Sequence, residues 1–267
     1  MKPFSEMPVL TLAKVCYLLS DIDDTLTEEG VFPPMSFAAL QKLRDSGRTV
    51  VLITGRPAGW CDMIARFFPI DAVVGENGAL CFYRDGDRVR QLWHDTAADR
   101  AQNLLRLHEI ANQIVGEFAG TALAQDNPWR ASDVAVDFAE EVEPLPLATA
   151  EAIRARFEDH GATAKVSSIH VNAWFGHYDK LSMFKRWLKD VRGQDIEEVL
   201  GISIYTGDSP NDVPMFKQFP LSTGVQGIEN YTLPSADLPA YVTRQDAASG
   251  FAEVAKALLS TPLSQKD

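Results

Sequence analysis

The sequence has few of the features that mark a disulfide scaffold or a zinc protein. It contains three cysteines, Cys16, Cys61 and Cys81, and none of them belongs to a CxxC or Cys/His cluster. Disulfide scaffolds use a dense and even set of cysteines, and structural zinc sites need clustered ligands. We therefore expect free cysteines and a reducing, cytoplasmic setting.

Long apolar runs and an excess of positive charge are also missing. No stretch approaches the roughly 20 apolar residues of a membrane-spanning helix. The N-terminal segment has Lys14 within its apolar part and lacks a small-residue cleavage pattern, so we expect neither a membrane span nor a signal peptide. The net charge is -12, from 25 basic and 37 acidic residues. This balance argues against binding to nucleic acid or to an anionic membrane, whereas a small phosphate ligand needs only a locally positive pocket.

The composition that is present suits a globular protein. Of the 267 residues, 46% are hydrophobic and 23% are charged, which is enough apolar material to bury a core. This length fits one large domain or two modest ones.

Three apolar runs in the first 80 residues alternate with segments of helical spacing. The runs lie in Lys14–Ser20, Thr49–Gly55 and Asp71–Ala79, and the helical patterns begin near Pro34 and Arg56. Strands that are apolar throughout are typical of a parallel sheet covered on both faces. The order strand, helix, strand, helix, strand therefore predicts an α/β fold with a parallel sheet.

The pattern changes after Leu80 and later returns. A hairpin with Asp85-Gly86 at its turn is followed by a helix near 98–116, a half-exposed alternating strand "SDVAVDF", a second helix and a strand-like segment. These elements predict an inserted α+β domain over 83–175. The apolar strand pattern resumes later, in "GISIYTGDSPND". We therefore predict a discontinuous core formed by 1–82 and 176–267.

Two of the predicted strands run directly into carboxylates. Asp21 and Asp23 follow the first strand, and Asp208 and Asp212 follow "ISIYT". Ligands of open parallel sheets bind at the carboxyl ends of the strands, so these acids are expected to meet in one crevice. Converging carboxylates favour a hard cation with oxygen ligands, and Mg²⁺ fits best.

A phosphate-binding set is predicted at the same edge. Thr54 and Gly55 end a strand and offer a hydroxyl and backbone N–H groups to an anion. Lys180 opens the helix after the insertion and supplies a compact positive charge. Carboxylates with Mg²⁺, a hydroxyl and a lysine together describe a site of phosphoryl transfer.

Four motifs then carry a family resemblance. In this order, "DIDDT" (Asp21–Thr25), "LITG" (Leu52–Gly55), Lys180 and "GDSPND" (Gly207–Asp212) resemble the motifs of the haloacid dehalogenase superfamily, and of its phosphatase branch. The stretch "GENGA" (Gly75–Ala79) and the large insertion look like the subgroup with a big α/β cap, which includes sucrose-phosphate and mannosyl-phosphoglycerate phosphatases and the Cof-like proteins. The resemblance implies a Rossmann-like parallel sheet with helices on both faces and an inserted α+β cap.

The resemblance also implies roles for individual residues. Asp21 would be the nucleophile that forms an aspartyl-phosphate, and Asp23 would protonate the leaving oxygen and then activate water. The phosphoryl group would be held by Thr54, Gly55 and Lys180. The ligands of Mg²⁺ would be Asp21, the backbone carbonyl of Asp23 and Asp208, with Asp212 or Asn211 in support. Many members carry Gly at the position of Asp24, so this motif supports no finer classification.

Four other polar residues are candidates for substrate binding: Asn77, Asn211, His170 and Asn172. Each also has a purely structural interpretation, as part of a turn or of a strand packed inside the cap. Arg56 is interpreted as an arginine at a helix start that forms surface pairs, and it is not assigned to the site.

The function that follows is a Mg²⁺-dependent phosphomonoesterase acting on a small phosphorylated metabolite, with a sugar phosphate favoured. One alternative is a phosphomutase of the phosphomannomutase type, whose cap must hold a second phosphate, for which arginines are suited. Another is a catalytically silent protein that binds phosphorylated sugars. The sequence identifies neither the substrate, nor the oligomeric state, nor the pathway.

Overall fold

The strands of the computed structural model, which describes residues 1–263, form two sheets. Their bounds are β1 (Lys2–Pro3), β2 (Tyr17–Ser20), β3 (Thr49–Ile53), β4 (Ala72–Gly75), β5 (Leu80–Asp85), β6 (Arg88–Trp93), β7 (Ala122–Leu123), β8 (Asp133–Asp137), β9 (Thr163–Val166), β10 (His170–Trp174), β11 (Ser203–Gly207), β12 (Leu221–Gly224) and β13 (Tyr241–Val242).

Helices alternate with the strands of the larger sheet from β2 to β4, as predicted. Their bounds are α1 (Val9–Leu12), α2 (Pro34–Asp45), α3 (Ala58–Phe67), α4 (Ala97–Glu117), α5 (Leu147–Asp159), α6 (Lys180–Trp187), α7 (Ile196–Val199), α8 (Val213–Gln218) and α9 (Ala247–Leu259). Among the described residues, no helix is both long enough and apolar enough to cross a bilayer.

The larger sheet has the order β1-β13-β12-β11-β2-β3-β4-β5-β6 within residues 1–263. Its central strands β11, β2, β3 and β4 are parallel, and β5 and β6 continue it antiparallel. β2 lies between β11 and β3, so the ends of these three strands are neighbours. The predicted α/β fold is confirmed.

Alternating side chains of β2 explain why its sequence is apolar throughout. Leu18 packs in a cluster with Leu40 of α2 and Phe251 of α9. Leu19, on the opposite face, packs in a cluster with Phe184 of α6 and Phe216 of α8. Both faces of the sheet are therefore covered by helices, and a strand buried on both sides has no polar alternation.

The smaller sheet is antiparallel, in the order β7-β8-β10-β9 within the described residues. Its apolar face packs on α4 and α5, where Val134 and Val171 share a cluster with Ile110 and Phe157. This is the predicted α+β insertion, and we call residues 94–175 the cap.

The predicted start of the insertion, at residue 83, falls within β5 of the larger sheet. The hairpin of β5 and β6 was placed in the cap from residue 83, but β5 pairs with β4, with Ala72 opposite Tyr83. Leu80 and Cys81 are fully buried in the larger sheet. The boundary at 83 thus falls inside a strand, and we propose that the core extends to Trp93.

The strand β8 was expected to be half-exposed, and this expectation is wrong. All five of its residues are buried. Asp133 accepts hydrogen bonds from the Arg130 guanidinium, and Asp137 accepts three from the backbone N–H groups of residues 139–141. The acidic side chains of β8 are therefore buried and hydrogen-bonded, whereas the sequence pattern predicted that they face solvent.

Candidate active site

The predicted site residues meet at the carboxyl edge of the larger sheet. Asp21 follows β2, Thr54 follows β3 and Asp208 follows β11. The Asp21 N–H donates to the Thr206 carbonyl at 2.9 Å, which continues the pairing of β2 with β11 by one residue. Because the strands are parallel neighbours, their ends bring these side chains to one place.

Three buried carboxylates form a cluster with one lysine. Asp21, Asp208 and Asp212 each offer an oxygen atom, and these atoms lie within 4.8 Å of one another. Lys180 Nζ lies 2.8 Å from Asp21 Oδ1 and 2.8 Å from Asp212 Oδ1. Three ionised carboxylates and one ammonium leave an excess of negative charge, and the donors are hard oxygen atoms. This set fits Mg²⁺.

The pKa shifts of the cluster reflect the same excess of negative charge. Burial raises the pKa of Asp21 to about 8, although Lys180 acts in the opposite direction. Burial, with repulsion from Asp212 and Asp21, holds the pKa of Asp208 well above its ordinary value. Burial alone would lower the pKa of Lys180, but Asp21 and Asp212 keep it raised. A divalent cation would offset the repulsion and favour the ionised acids.

Asp212 has both carboxylate oxygens engaged. Oδ1 accepts hydrogen bonds from Lys180 and from the Tyr205 hydroxyl at 2.5 Å, and Oδ2 accepts from the backbone N–H of Asp208 at 3.1 Å. A Cβ atom at position 207 would lie 2.4 Å from Asp212 Oδ2, so only glycine at this position leaves room for the Asp212 carboxylate. Asp212 therefore fixes the loop of Asp208 and the position of Lys180.

The "GENGA" turn packs against the start of α6. Asp179 caps this helix, with the Ser182 N–H donating to its Oδ1 at 2.7 Å. Gly78 has φ +109°, and a Cβ atom there would lie 2.0 Å from the Asp179 carbonyl oxygen. This glycine allows the turn and the helix start to touch, which places Lys180 beside Asp21.

The four substrate-binding candidates do not all reach the same space. His170, Asn172 and Asn211 line the cleft that holds Asp21 and Asp23. Asn77 instead lines a neighbouring groove with Lys180 and Asn211. Its buried Nδ2 has no hydrogen-bond partner within residues 1–263. In this conformation Asn77 faces the neighbouring groove and packs against Gly55, which lines the cleft.

The cleft lies between the carboxyl edge and the cap, and Gly55 and Arg56 line its core side. From the cap, the loop of Ser167 and Ser168 between β9 and β10 covers it. The cleft is partly open, and the space that water can enter in it is about 30 Å³, which is room for one or two water molecules and not for a whole sugar phosphate. A substrate of that size therefore needs the cap to move away.

Arg56 belongs to this cleft, and its interpretation as a surface arginine is wrong. Its Nε donates to both Asp23 oxygens, at 3.0 and 3.1 Å, and Nη2 donates to Glu140 Oε1 at 2.9 Å. Glu140 Oε2 lies 2.9 Å from His170 Nε2. The guanidinium also lies 4.7 Å from the centre of the Trp60 ring.

The cap is joined to the core by buried polar contacts near the same loops. Arg130 donates to the Gly55 carbonyl at 3.1 Å and forms buried ion pairs with Asp126 and Asp133. Glu76 is fully buried and accepts hydrogen bonds from backbone N–H groups of residues 58, 131 and 132 at 2.7 to 2.8 Å. The glutamate of "GENGA" is therefore an anchor between the two domains.

Glu76→Gln is expected to destabilise the protein by about 2–4 kcal/mol, because the new amide group turns a donor towards backbone donors that are already buried. Urea unfolding should show the loss as a lower midpoint. The control Glu109→Gln changes an exposed glutamate of α4, and we expect a change within about 0.5 kcal/mol. Equal midpoints for Glu76→Gln and the wild type would contradict the anchoring role.

Glu140 is expected to make the stability depend on acid pH. His170 and Arg56 lower its pKa from 4.5 to about 2. A lowered carboxylate pKa stabilises the fold above 4.5, and the contribution is lost as the pH falls towards 2. Since Glu140 is partly exposed, the contribution is about 1–2 kcal/mol after solvent screening. The thermal midpoints of the wild type and Glu140→Gln should differ near neutral pH and converge as the pH falls from 4.5 towards 2. A difference that stays constant with pH would contradict the proposed contribution of ionised Glu140 to stability.

Comparisons with known proteins agree with this architecture. Residues 18–143 match the family model of the haloacid dehalogenase-like hydrolases. No curated protein matches the chain. Among solved structures, the trehalose-6-phosphate phosphatase C-terminal domain of C. albicans is 14% identical with a TM-score of 0.72, and the match covers 99% of each chain.

Two other solved structures give similar matches. A Thermoplasma acidophilum protein is 18% identical with a TM-score of 0.67, and the match covers 91% of this chain and 98% of that one. The sucrose-phosphatase of Synechocystis, in complex with sucrose and phosphate, is 14% identical with a TM-score of 0.61 over 91% and 97% of the two chains. These likenesses show a shared fold.

The family match includes two of the four motifs, "DIDDT" and "LITG", and the structure places Lys180 and "GDSPND" beside them. The whole-chain structural matches extend the likeness through the cap and the last strands. The predicted resemblance and the prediction of an enzyme are thereby confirmed: residues 18–143 match the haloacid dehalogenase-like hydrolases, and the solved structures show the same fold over the rest of the chain.

Proposed function

We propose that the protein is a Mg²⁺-dependent phosphomonoesterase that acts through an aspartyl-phosphate at Asp21 on a small phosphorylated metabolite, with a sugar phosphate favoured. The observation that carries this proposal is the buried cluster of Asp21, Asp208 and Asp212 around Lys180 at the carboxyl edge of the sheet. Its acids call for a cation, and cation and lysine together attract a phosphoryl group.

Asp21 is the proposed nucleophile. One carboxylate oxygen attacks phosphorus, a bond from Asp21 to phosphorus forms, and the bond from phosphorus to the leaving oxygen breaks. Asp23 donates a proton to that oxygen. In the second half of the reaction Asp23 takes a proton from water, the water oxygen attacks phosphorus, and inorganic phosphate and free Asp21 result.

Lys180, Thr54 and Gly55 are proposed to hold the phosphoryl group. Lys180 is fixed 2.8 Å from Asp21, where its charge offsets that of the phosphoryl oxygens. Thr54 is buried at the end of β3, and Gly55 lines the cleft beside Asp21. This set binds the phosphoryl oxygens before and after transfer, and so orients phosphorus towards the nucleophile.

The metal site is proposed to use Asp21 and Asp208, with the backbone carbonyl of Asp23. We assign Asp212 a supporting role, because its oxygens already hold Lys180 and the Asp208 loop. When bound, Mg²⁺ would neutralise charge and orient the phosphoryl group.

The cap supports the choice of substrate class. His170 and Asn172 line the roof of the cleft and are proposed to contact the leaving group. Two proteins of the same fold carry names of sugar-phosphate phosphatases, for trehalose 6-phosphate and for sucrose phosphate. The hydroxyl groups of a sugar would suit the cap side of the cleft, because its imidazole, amide and serine side chains can both donate and accept hydrogen bonds.

The mutase alternative has less support. A second phosphate would need a cationic clamp in the cap, but the arginines of the predicted insertion contact other groups. Within the described residues, Arg130 is paired with two aspartates, Arg100 lies over Trp93 and Arg106 over Phe175. The remaining arginines of the predicted insertion lie in the β5–β6 hairpin or on exposed faces: Arg84, Arg88, Arg90, Arg154 and Arg156.

The proposal is tested by a phosphate-release screen over sugar phosphates, phosphoglycerates, nucleotides and polyol phosphates with Mg²⁺. We expect release from at least one sugar phosphate, loss of release with a chelator, and recovery when Mg²⁺ is restored. Interconversion of hexose phosphates without inorganic phosphate, followed by phosphorus NMR, would favour the mutase. Thermal shifts with no turnover of any compound would favour the silent binding protein.

A further inference from the structure

Arg56 connects the proposed acid–base residue to the cap. Its guanidinium pairs with Asp23 of the core at 2.9 Å and with Glu140 of the cap at 2.9 Å. The side chain is 10% exposed, so it lies in the closed cleft. One cation is thus shared by two carboxylates that lie on opposite sides of the cleft.

The core end of this connection is held in place by its surroundings. The Arg56 N–H donates to Thr54 Oγ1 at 3.0 Å, and the Arg56 carbonyl accepts from the Glu76 N–H at 3.1 Å. Its guanidinium lies over Trp60. The arginine therefore starts from the rigid loop that also carries the proposed phosphate ligands.

The cap end is held equally well. The loop of Glu140 is fixed because three successive N–H groups, of residues 139 to 141, donate to Asp137 at 2.8 to 2.9 Å. The Glu140 carboxylate lies between Arg56 and His170 of β10. Its position consequently follows the position of the cap.

Asp23, in contrast, depends on Arg56. Its side chain is 27% exposed, and within residues 1–263 its carboxylate has no hydrogen-bond partner other than the Arg56 guanidinium. The contact uses Nε on both oxygens, which fixes the plane of the carboxylate as well as its distance. Nothing else among the described contacts would select this orientation.

We propose that Arg56 is a positioning residue for Asp23, and that Glu140 makes this positioning depend on closure of the cap. With the cap closed, Glu140 holds the far side of the guanidinium and Arg56 keeps Asp23 in one orientation. When the cap moves away, Arg56 loses Glu140 and its side chain gains freedom. The inference rests on the proposed function, because it assigns Arg56 a role in the acid–base step.

The test is a kinetic cycle with p-nitrophenyl phosphate and Mg²⁺. Arg56→Lys is expected to lower kcat about 10–100-fold and Glu140→Gln about 3–10-fold, with KM within about threefold, since small errors of placement act on the chemical step. The double variant should be no slower than Arg56→Lys, because Glu140 acts only through Arg56. The matched controls Arg156→Lys and Glu117→Gln change an exposed ion pair, and both should keep the wild-type kcat.

A second set of variants distinguishes the positioning of Asp23 from a general loss of stability. In an Asp23→Asn background, Arg56→Lys and Glu140→Gln should cause no further loss of kcat, because the group they position is gone. The good leaving group keeps the residual rate measurable. Added guanidinium should restore part of the activity of Arg56→Ala and none of that of Asp23→Asn.

Several results would overturn the inference: a wild-type kcat in Arg56→Lys, additive losses in the double variant, or equal losses with and without Asp23. Thermal midpoints report whether each variant is folded. If Arg56→Lys does not fold, the test rests on Glu140→Gln alone, measured in the wild type and in the Asp23→Asn background. The same fold-loss of kcat in both backgrounds would contradict the inference. A wild-type protein without any phosphate release would instead overturn the proposed function, so the two failures are distinguishable.

Discussion

Asp21→Asn is expected to lower phosphate release by about three orders of magnitude or more, because it removes the nucleophile and leaves only binding and electrostatic contributions. The substitution keeps the volume of the side chain. It also removes a buried acid whose pKa burial raises to about 8, so the folded state should be at least as stable as the wild type.

The measurement is kcat/KM for p-nitrophenyl phosphate with Mg²⁺, together with the thermal midpoint. The neighbouring acid Asp24 provides the control. Asp24 has φ +52°, and asparagine tolerates this conformation as well as aspartate does. We expect Asp24→Asn to stay within about threefold of the wild type, since no chemistry is assigned to it. Substantial activity in a folded Asp21→Asn would remove Asp21 as the nucleophile.

Lys180→Met is expected to have the largest effect on stability. It removes a buried ammonium that lies 2.8 Å from both Asp21 and Asp212. Breaking a buried ion pair costs about 3–5 kcal/mol, because the remaining carboxylates are uncompensated. For a chain of this size the thermal midpoint should fall by about 10 °C. Phosphate release should be lost as well, since no cation remains opposite the metal site.

The loss should depend on pH and on Mg²⁺. Without Lys180 the attraction that lowers the pKa of Asp21 is lost, so this pKa rises further above that of the unfolded chain. The deficit in stability is therefore smallest at low pH and grows as the pH rises. Added Mg²⁺ should recover part of the midpoint in Lys180→Met, because it offsets the same charge. The exposed Lys217 is the control: Lys217→Met should shift the midpoint by about 2 °C or less. A Lys180→Met protein as stable as the wild type without Mg²⁺ would contradict this account.

The core of the site was predictable because each part is a local pattern. An apolar strand that ends in acids describes both Asp21 and Asp208, and parallel pairing then brings the two together over a long separation in sequence. Lys180 alone looks like a solvated helix residue, and only its order among the motifs indicated its role. The structure brings Lys180 to Asp21, as the motif order predicts.

The parts that were missed depend on tertiary contacts. Arg56 has an ordinary helix-start sequence, and nothing near Glu140 indicates that the cap presents it to that arginine. Glu76 lies in a turn motif, yet its carboxylate binds backbone from a segment more than fifty positions away. Sequence patterns report on burial and local geometry, whereas these contacts arise from how the cap docks on the core.

The proposed extension of the core to Trp93 also depends on a tertiary contact. An alternating hairpin fits either a cap or the edge of the main sheet, and only the pairing of β5 with β4 decides between them. The strand β8 was predicted to be half-exposed because its polar and apolar residues alternate. Such alternation shows which residues are polar and does not show whether they contact solvent. Their partners, Arg130 and the backbone of residues 139–141, lie on neighbouring loops.

The most direct test of the proposed chemistry is to locate the phosphoryl group during turnover. Wild-type protein and Asp23→Asn would be mixed with p-nitrophenyl phosphate and Mg²⁺, quenched in acid, and mapped by peptide mass spectrometry. We expect one phosphoryl group on Asp21, more of it in Asp23→Asn because hydrolysis of the intermediate lacks its base, and none in Asp21→Asn. Turnover with no phosphorylated peptide, or with the group on another residue, would contradict the account.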